Sequence, residues 1–133
     1  MSELNIDVVT PKGIKFSGEA ISCTAPGWDG AFQILKDHTS MVTQLKVGSV
    51  IFDNDGKQKI LATSGGYLEI QNNNISIIAE TAEWAEEIEL ERAREAERRA
   101  RKRLESHGGG LNIDRAKLSL ARALNRIKVA SRV

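Results

Sequence analysis

The sequence predicts an α+β protein, with an N-terminal antiparallel β-sandwich over residues 1–83 and a C-terminal antiparallel hairpin of two helices over residues 84–133. Short alternating runs separated by turns fill the first part, and strong helix formers fill the second. The charge also divides, because residues 1–82 carry six Lys/Arg against nine Asp/Glu, whereas residues 83–133 carry thirteen against nine. All aromatic residues except Trp84 precede the boundary. These differences predict two architectures within one chain.

The β-sandwich is predicted from period-2 alternation. Residues 4–10 alternate apolar and polar side chains, as in a strand with one buried face. Asp55-Gly56 and the segment Gln71–Asn74 lie between alternating runs and are typical of hairpin turns. Ser64-Gly65-Gly66 indicates a tight strand entry that needs positive φ or close backbone approach. The other strand-like segments are 14–17, 20–25, 31–35, 47–52, 59–63, 67–70 and 75–78. No stretch of helical period interrupts them, which argues against a parallel βαβ sheet.

Two helices of similar length are predicted for the second part. Residues 88–106 are rich in Ala, Glu, Arg and Leu, which are strong helix formers. The segment His107–Gly110 predicts the end of this helix and a flexible turn. Asn112 or Asp114 can cap a second helix that ends near Ser131. The short connection lets the two helices fold back on each other.

Each predicted helix carries one apolar stripe, and a charged link at Glu83–Glu87 precedes the first helix. The stripes comprise Ala93, Ala96, Ala100 and Leu104 on the first helix, and Ile113, Ala116, Leu120, Leu124 and Ile127 on the second. Alanine facing leucine and isoleucine permits close packing but buries little area, so at ~25 cal/mol per Å² the hairpin is marginal by itself. We expect it to dock on a partner or to exchange between packed and extended forms.

The sequence argues against an independent enzyme. Cys23, the only cysteine, is flanked by Ile21 and Ala25 and is interpreted as a buried strand residue in a reducing compartment. His38 is interpreted as a hydrogen-bonded loop residue. No group of His, Cys, Asp and Glu has metal-ligand spacing, and no apolar run approaches the ~20 residues of a membrane span. The N-terminal residues lack the features of a signal peptide. The chain is therefore predicted to be a non-catalytic, partner-binding module.

Arginines cluster on the predicted hairpin. Arg115, Arg122 and Arg126 lie within about 40° of one another on the second helix, and Arg92 and Arg99 border the alanine stripe of the first. A solvated basic face is the simplest interpretation. A folded hairpin would bring these arginines together, where nucleotide phosphates or an acidic patch of a partner could bridge them. A basic adaptor for nucleic acid or an acidic protein is the alternative, although interleaved aromatic residues are absent and the pI is 7.9.

Three short segments carry a family resemblance. They are Val9-Thr10-Pro11 with Gly13 and Gly18-Glu19, then Gly30 to Leu35 with His38, and finally Ser64 to Ile70. In this order, along nearly the full length, they resemble the epsilon subunit family of bacterial F-type ATP synthases. The resemblance implies a central-stalk subunit at the cytoplasmic face of the plasma membrane, with a sandwich that binds the gamma subunit and the membrane rotor c-ring. It also implies that the hairpin extends toward the catalytic alpha and beta subunits and inhibits ATP hydrolysis.

The resemblance further implies ATP as a regulatory ligand of the folded hairpin. In some family members the pattern Ile/Leu-Asp-x-x-Arg-Ala binds ATP together with arginines of the second helix. It appears here as residues 88–93, with Glu89 in place of Asp, which keeps the charge and adds one methylene group. The implied nucleotide-binding residues are Glu83, Ile88, Glu89, Arg92, Ala93, Arg99, Arg122 and Arg126. Contact with the rotor ring is implied for Ala31 and His38, although Ala31 stands where an acidic residue is common.

Overall fold

The computed structural model describes residues 4–105 and 113–131, and the chain divides into two compact units, Met1–Trp84 and Ala85–Val133. The predicted turn at His107–Gly110 and the predicted cap at Asn112 lie outside the described residues. The first unit is built from strands. They are β1 (Leu4–Thr10), β2 (Gly13–Ala20), β3 (Ser22–Gly27), β4 (Gly30–Ile34), β5 (Met41–Asn54), β6 (Lys57–Gln71), β7 (Asn74–Ala79) and β8 (Ala82–Trp84).

The strands form one sheet in the order β2-β1-β7-β6-β5-β3-β4, with β8 paired to β6. Two long strands, β5 and β6, connect the two halves of this sheet. β6 pairs with β8 through residues 61–63 and with β7 through residues 66–71. Its hairpin with β5 turns at Asp55 and Gly56, where both φ angles are positive, and this confirms the hairpin predicted from Asp-Gly. The sheet folds over itself around a shared apolar core.

The antiparallel description is wrong for one pair of strands. β1 pairs with β2 antiparallel, but it pairs with β7 in parallel, from Asn5 opposite Asn74 to Val9 opposite Ile78. Alternation identifies both strands correctly, since their burial alternates residue by residue. It does not identify the partner or the direction of a strand whose partner is distant in sequence. The sheet is therefore mixed.

Gly65 and Gly66 lie within a continuous strand rather than at a strand entry. The segments 59–63 and 67–70, predicted as separate strands, are both parts of β6. Gly65 has φ +98° and Gly66 has φ +142°, and a Cβ on Gly66 would overlap the carbonyl oxygen of Ile78. The prediction of positive φ and close backbone approach is thus confirmed, and the two glycines let β6 pass between the halves of the sheet.

Trp84 belongs to the sandwich. The segment predicted as a charged link contains the last two residues of β8 and a 3-10 turn at Ala85–Glu87. Trp84 pairs with Leu61 and packs edge-on against Phe16, with ring centroids 5.1 Å apart. The Lys59 ammonium lies 5.5 Å from the centroid of the Trp84 ring. These contacts fix the last residue of the first unit.

The sandwich core is mainly aliphatic, with Phe52 as its one buried aromatic side chain among the described residues. Its buried side chains alternate along β1 and β7, and they include Cys23, as predicted. Burial raises the pKa of the Cys23 thiol to about 12, because desolvation disfavours the thiolate. The largest fully buried side chains are Leu4, Ile6, Val8, Ile34, Leu45, Val50, Leu61, Leu68, Ile70, Ile75 and Ile77 in this unit.

The second unit contains the helices α1 (Leu90–Glu105) and α2 (Ile113–Ala130), which contact each other. The 3-10 turn at Ala85–Glu87 also contacts α2. The predicted first helix, 88–106, therefore begins two residues too early, since Ile88 and Glu89 precede α1. A β-sandwich followed by two helices confirms the predicted fold class, apart from the parallel pair.

Candidate functional sites

Alanines occupy most of the buried positions of the two helices, and Val129 of α2, 1% exposed, is the one larger side chain buried there among the described residues. Ala93 and Ala100 are buried on α1, and Ala116 and Ala123 are buried on α2. Leu124, which was predicted to lie in the apolar stripe, is 41% exposed. It lies about 100° around the helix from Ala123, which follows Ala116 by two turns. Alanine side chains bury little apolar area, so they contribute little hydrophobic free energy to the contact between the helices.

Arg122 holds a buried donor. Its Nε atom is buried, and no described residue accepts a hydrogen bond from it. The Nε of Arg126, one turn later, is buried as well. A buried donor without an acceptor costs about 1–3 kcal/mol, and more when the group is charged, and an arginine does not escape this cost by losing its proton. An anion that reached Arg122 would supply the missing acceptor.

Two arginines of α1 differ from their neighbours. Arg94 pairs with Glu91 at 3.4 Å, and the guanidinium of Arg101 lies 3.0 Å from Glu97. In contrast, neither Arg92 nor Arg99 makes an ion pair with any residue that the structure describes. Arg92 and Arg99 are exposed and seven residues apart, so they lie on the same face of α1. This face presents two cations that no carboxylate of the described chain neutralises.

The segment 88–93 surrounds the start of α1. Ile88 is 8% exposed and its N–H donates to the carbonyl of Ala85 at 3.3 Å. The N–H of Ala93 donates to the carbonyl of Glu89 at 3.1 Å, and the Ala93 side chain is buried. The Glu89 side chain is exposed. The two apolar members of the pattern are thus structural, and the charged members face outward.

Glu83 and the other predicted nucleotide-binding residues belong to different units of the chain. It is half-buried in β8, opposite Ala62 of β6, and so belongs to the sandwich unit. The other seven belong to the helical unit. Of these seven, Arg122 and Arg126 lie one turn apart on α2, and Arg92 and Arg99 two turns apart on α1.

The loop that carries His38 is tied to the β6–β7 turn. The N–H of Asp37 donates to Asn73 Oδ1 at 2.7 Å, and Asn73 Nδ2 donates to Asp37 Oδ1 at 3.3 Å. Both residues have positive φ, 64° and 63°. His38 is half-buried, and its ring Nδ1 lies 2.7 Å from the carbonyl oxygen of Thr39. Its backbone N–H donates to the carbonyl oxygen of Leu35 at 3.2 Å. The interpretation of His38 as a hydrogen-bonded loop residue is confirmed.

Ala31, the other predicted rotor-ring residue, is exposed on β4 opposite Pro26 of β3. The tip of this hairpin carries an exposed tryptophan that sequence reasoning did not select. Trp28 is 56% exposed, and the Lys46 ammonium lies 5.9 Å from the centroid of its ring. Its position between two glycines in a turn could have predicted this exposure, because a turn at the surface offers an aromatic side chain few buried positions.

A second surface was also missed. Val9, Ile14, Tyr67 and Ile78 are 37%, 73%, 57% and 60% exposed. They are cross-strand neighbours, Ile14 beside Val9, Val9 beside Ile78 and Ile78 beside Tyr67, and together we call them the apolar row. Along β1 and β7 the row occupies the face whose other residues are polar and exposed. Apolar residues at outward positions of alternating strands were the signal, and such a contiguous patch is typical of an interaction surface.

Two absences hold for residues 4–105 and 113–131. No group of three or more His, Cys, Asp and Glu side chains in these ranges could hold a metal ion. Neither α1 nor α2, within the same ranges, combines the length and apolar content that a membrane-spanning helix requires.

Comparison with known families identifies both units. Residues 3–85 match the β-sandwich domain of the ATP synthase delta/epsilon chain, and residues 86–131 match the long α-helix domain of the same chain. The two matches together cover nearly every residue, in the order in which the units occur. The chain therefore belongs to the ATP synthase delta/epsilon chain family.

Individual relatives carry the more specific description of epsilon chain. The ATP synthase epsilon chain of Desulforamulus reducens is 44% identical over 125 residues, covering 94% of this chain and 95% of the relative. That of Moorella thermoacetica is 37% identical and covers 100% of both chains. That of Bacillus licheniformis is 37% identical over 98% of this chain and 99% of the relative.

Solved structures share the fold. A chain of the Euglena gracilis mitochondrial ATP synthase (OSCP/F1/c-ring) matches with a TM-score of 0.84 at 18% identity, covering 100% of this chain and 83% of that one. A chain of the Tetrahymena thermophila mitochondrial ATP synthase (central stalk/c-ring) matches with a TM-score of 0.57 at 11% identity, covering 98% and 95%. At these identities the likeness concerns the fold.

Proposed function

We propose that this chain is the central-stalk subunit that couples the catalytic head of a bacterial F-type ATP synthase to its membrane rotor, without catalysing a reaction itself. Its family and its epsilon-chain relatives support this role. The similar solved chains come from complexes described as F1 with c-ring and as central stalk with c-ring. In this role the chain is a peripheral protein at the cytoplasmic face of the plasma membrane.

The sandwich is the docking unit in this proposal. In the isolated chain the four side chains of the apolar row are exposed to water. Burying them against a partner is favourable because it removes apolar surface from water. We assign this row to the gamma subunit. The exposed Ala31 and the loop of His38 are assigned to the polar surface of the c-ring. The hydrogen bonds between Asp37 and Asn73 support the second assignment, because a loop that is already ordered loses less entropy on binding.

The helical unit is the regulatory unit, with ATP as its ligand. The observation that carries this part is the buried Nε of Arg122, which no acceptor of the described chain meets. Phosphate oxygens would accept charge-assisted hydrogen bonds from Arg122 and Arg126. Arg92 and Arg99 of α1 present two further cations that no carboxylate of the described chain pairs. ATP held by these arginines acts as a regulatory ligand and not as a substrate.

The same features explain how the hairpin opens. Without nucleotide, electrostatic repulsion between the arginines favours opening. The contact between α1 and α2 buries mainly alanine, so it opposes this repulsion only weakly. The extended helices then present their basic faces to acidic segments of the catalytic alpha and beta subunits and inhibit ATP hydrolysis. ATP shifts the equilibrium by as much as its affinities for the folded and extended forms differ.

Isothermal titration of ATP into the isolated chain tests the sensor. Arg122→Ala is expected to weaken binding about tenfold or more, because a hydrogen bond to a charged group contributes about 1.5–3 kcal/mol. The matched control is Lys117→Ala, which removes an exposed cation from α2 about 140° around the helix. Unchanged binding in a variant that lacks both Arg122 and Arg126 side chains would exclude the phosphate-binding role.

Truncation after Glu87 tests the inhibitory role in the assembled complex. Removal of both helices is expected to raise the rate of ATP hydrolysis, while the sandwich still anchors the subunit. The control is the same complex with the full chain, prepared in parallel, with the amount of bound subunit measured in both. If hydrolysis does not rise at equal occupancy, another component is the inhibitor.

A further inference from the structure

Among the residues that the structure describes, none caps the start of the helix α1 with its side chain. Since the N–H of Ala93 donates to the carbonyl of Glu89, Glu89 is the N-cap residue of α1. The N–H groups of Leu90, Glu91 and Arg92 meet no acceptor among the residues that the structure describes. The Glu89 carboxylate, which is exposed, likewise makes no hydrogen bond or ion pair in the described chain. The first turn therefore lacks the contact that usually stabilises it.

The chemistry of glutamate explains this missing contact. Ser, Thr, Asp and Asn are the preferred N-cap residues because their short side chains accept a hydrogen bond from the second or third N–H of the helix. Glutamate is one methylene longer than aspartate and is not among them. The reciprocal capping arrangement is also absent, since it needs Glu or Gln at the third helical position, where this chain has Arg92. Only the favourable charge–dipole interaction of Glu89 and Glu91 remains at this terminus.

We propose that Glu89 is a positioning residue: by leaving the first turn of α1 uncapped, it lowers the fraction of hairpin that is folded around Arg92 and ready to bind ATP. The ATP part of this proposal rests on the proposed function, whereas the capping part does not. Arg92 is the third residue of α1, so fraying of the first turn displaces it. The apparent dissociation constant equals the intrinsic one divided by the fraction of competent chain.

Hydrogen exchange of the full chain without nucleotide tests the capping part. Glu89→Asp and Glu89→Ser are both expected to slow exchange of the Glu91 and Arg92 amides about two- to tenfold, because both introduce a preferred cap. Glu89→Gln is expected not to slow it. The control is Glu95→Asp, the same replacement at an exposed position in the interior of α1. Unchanged amide exchange in both the Asp and the Ser variants would overturn the proposal.

ATP titration of the same variants separates capping from direct contact. If capping sets affinity, Glu89→Ser tightens ATP binding by up to the factor by which it slows exchange, although it has no carboxylate. If Glu89→Asp tightens binding and Glu89→Ser weakens it, the carboxylate at position 89 contacts the nucleotide and the positioning role is wrong. If the natural chain binds no ATP at all, the proposed sensor fails, while amide exchange still decides whether Glu89 leaves α1 uncapped.

Discussion

Gly66 lies in β6 opposite Ala79 of β7, where the two backbones leave no room for a side chain. Any Cβ at this position would overlap the carbonyl oxygen of Ile78, and φ is +142°. Both features exclude side chains for a steric reason. Positive φ or close backbone approach was predicted for Gly65-Gly66 from the sequence. Glycine inside an alternating run has no side chain to pack and commonly marks such a position.

At the residue scale we expect Gly66→Ala to lower the free energy of unfolding by more than about 3 kcal/mol, since backbone strain and overlap with Ile78 act together. Gly13→Ala is the matched control, because Gly13 has φ +119° but nothing lies within 4 Å of the added Cβ. Strain alone is expected to cost about 1–3 kcal/mol there. Urea unfolding measures both. Equal losses in the two variants would show that the close approach contributes nothing.

Trp84 shows what single-residue reasoning cannot supply. Its position after the predicted boundary placed it with the helices, yet it pairs with Leu61 and packs against Phe16 and Phe52. A three-residue strand such as β8 offers too few positions for alternation to appear. The acidic residues around it favoured a solvated link. The position of Trp84 depends on the complete sheet, because β6 is long enough to pair with both β7 and β8.

At the scale of elements, the packing of α1 on α2 depends on small side chains. The alanines at 93, 100, 116 and 123 are buried. The stripe of α1 was predictable because three alanines and a leucine repeat at helical spacing. The stripe of α2 was predicted only in part, because several wheel positions carry apolar residues and the larger Leu124 was preferred over Ala123. The need for close approach to α1 selects the smaller side chain at that position.

Ala93→Leu is therefore expected to open or unfold the hairpin. The added side chain overpacks a site that is 0% exposed, at a cost of about 1–3 kcal/mol. Ala121→Leu, at an exposed position of α2, adds the same atoms and is expected to leave the hairpin closed. The distance between labels attached at Arg99 and Lys117 reports opening. A closed hairpin in Ala93→Leu would show that the contact tolerates larger side chains than its alanines indicate.

The positions of the predicted nucleotide-binding residues along their helices follow from the sequence, whereas their surroundings do not. Helical spacing alone placed Arg122 and Arg126 close together on α2, but it did not predict that both Nε atoms are buried. The absence of an acceptor for Arg122 within the described chain depends on what α1 and the 3-10 turn bring near it, which a helical wheel does not contain. For the same reason the role of Glu89 as N-cap emerged only from the observed start of α1.

At the scale of the whole molecule, stability and assembly depend on opposite faces of the same strands. In β1 and β7, inward residues form the core, while Val9 and Ile78 extend the apolar row on the outward face. Replacing a member of the row therefore removes exposed area and little packing. This separation makes the docking role testable without loss of the fold.

We expect the double variant Tyr67→Ser, Ile78→Ser to bind the gamma subunit at least tenfold more weakly, because central apolar contacts carry much of the energy of an interface. Its free energy of unfolding is expected to change by no more than about 1 kcal/mol for each of the two substitutions, the range of strand propensities at one position. Gln71→Ser, at a polar exposed position of β6, is the control. Surface plasmon resonance with immobilised gamma subunit measures the affinity. Undiminished binding would place the interface elsewhere.

The parallel pair of β1 and β7 has a consequence for protein synthesis. During translation β1 can pair with β2 as soon as both have emerged, but its other edge stays open until Asn74–Ala79 has been translated. Pairing across so many residues is slow, and an open edge invites aggregation. Force on a translational arrest peptide is expected to appear only when β7 has emerged. A full signal from chains that end before Asn74 would show that the nascent sandwich closes without its seventh strand.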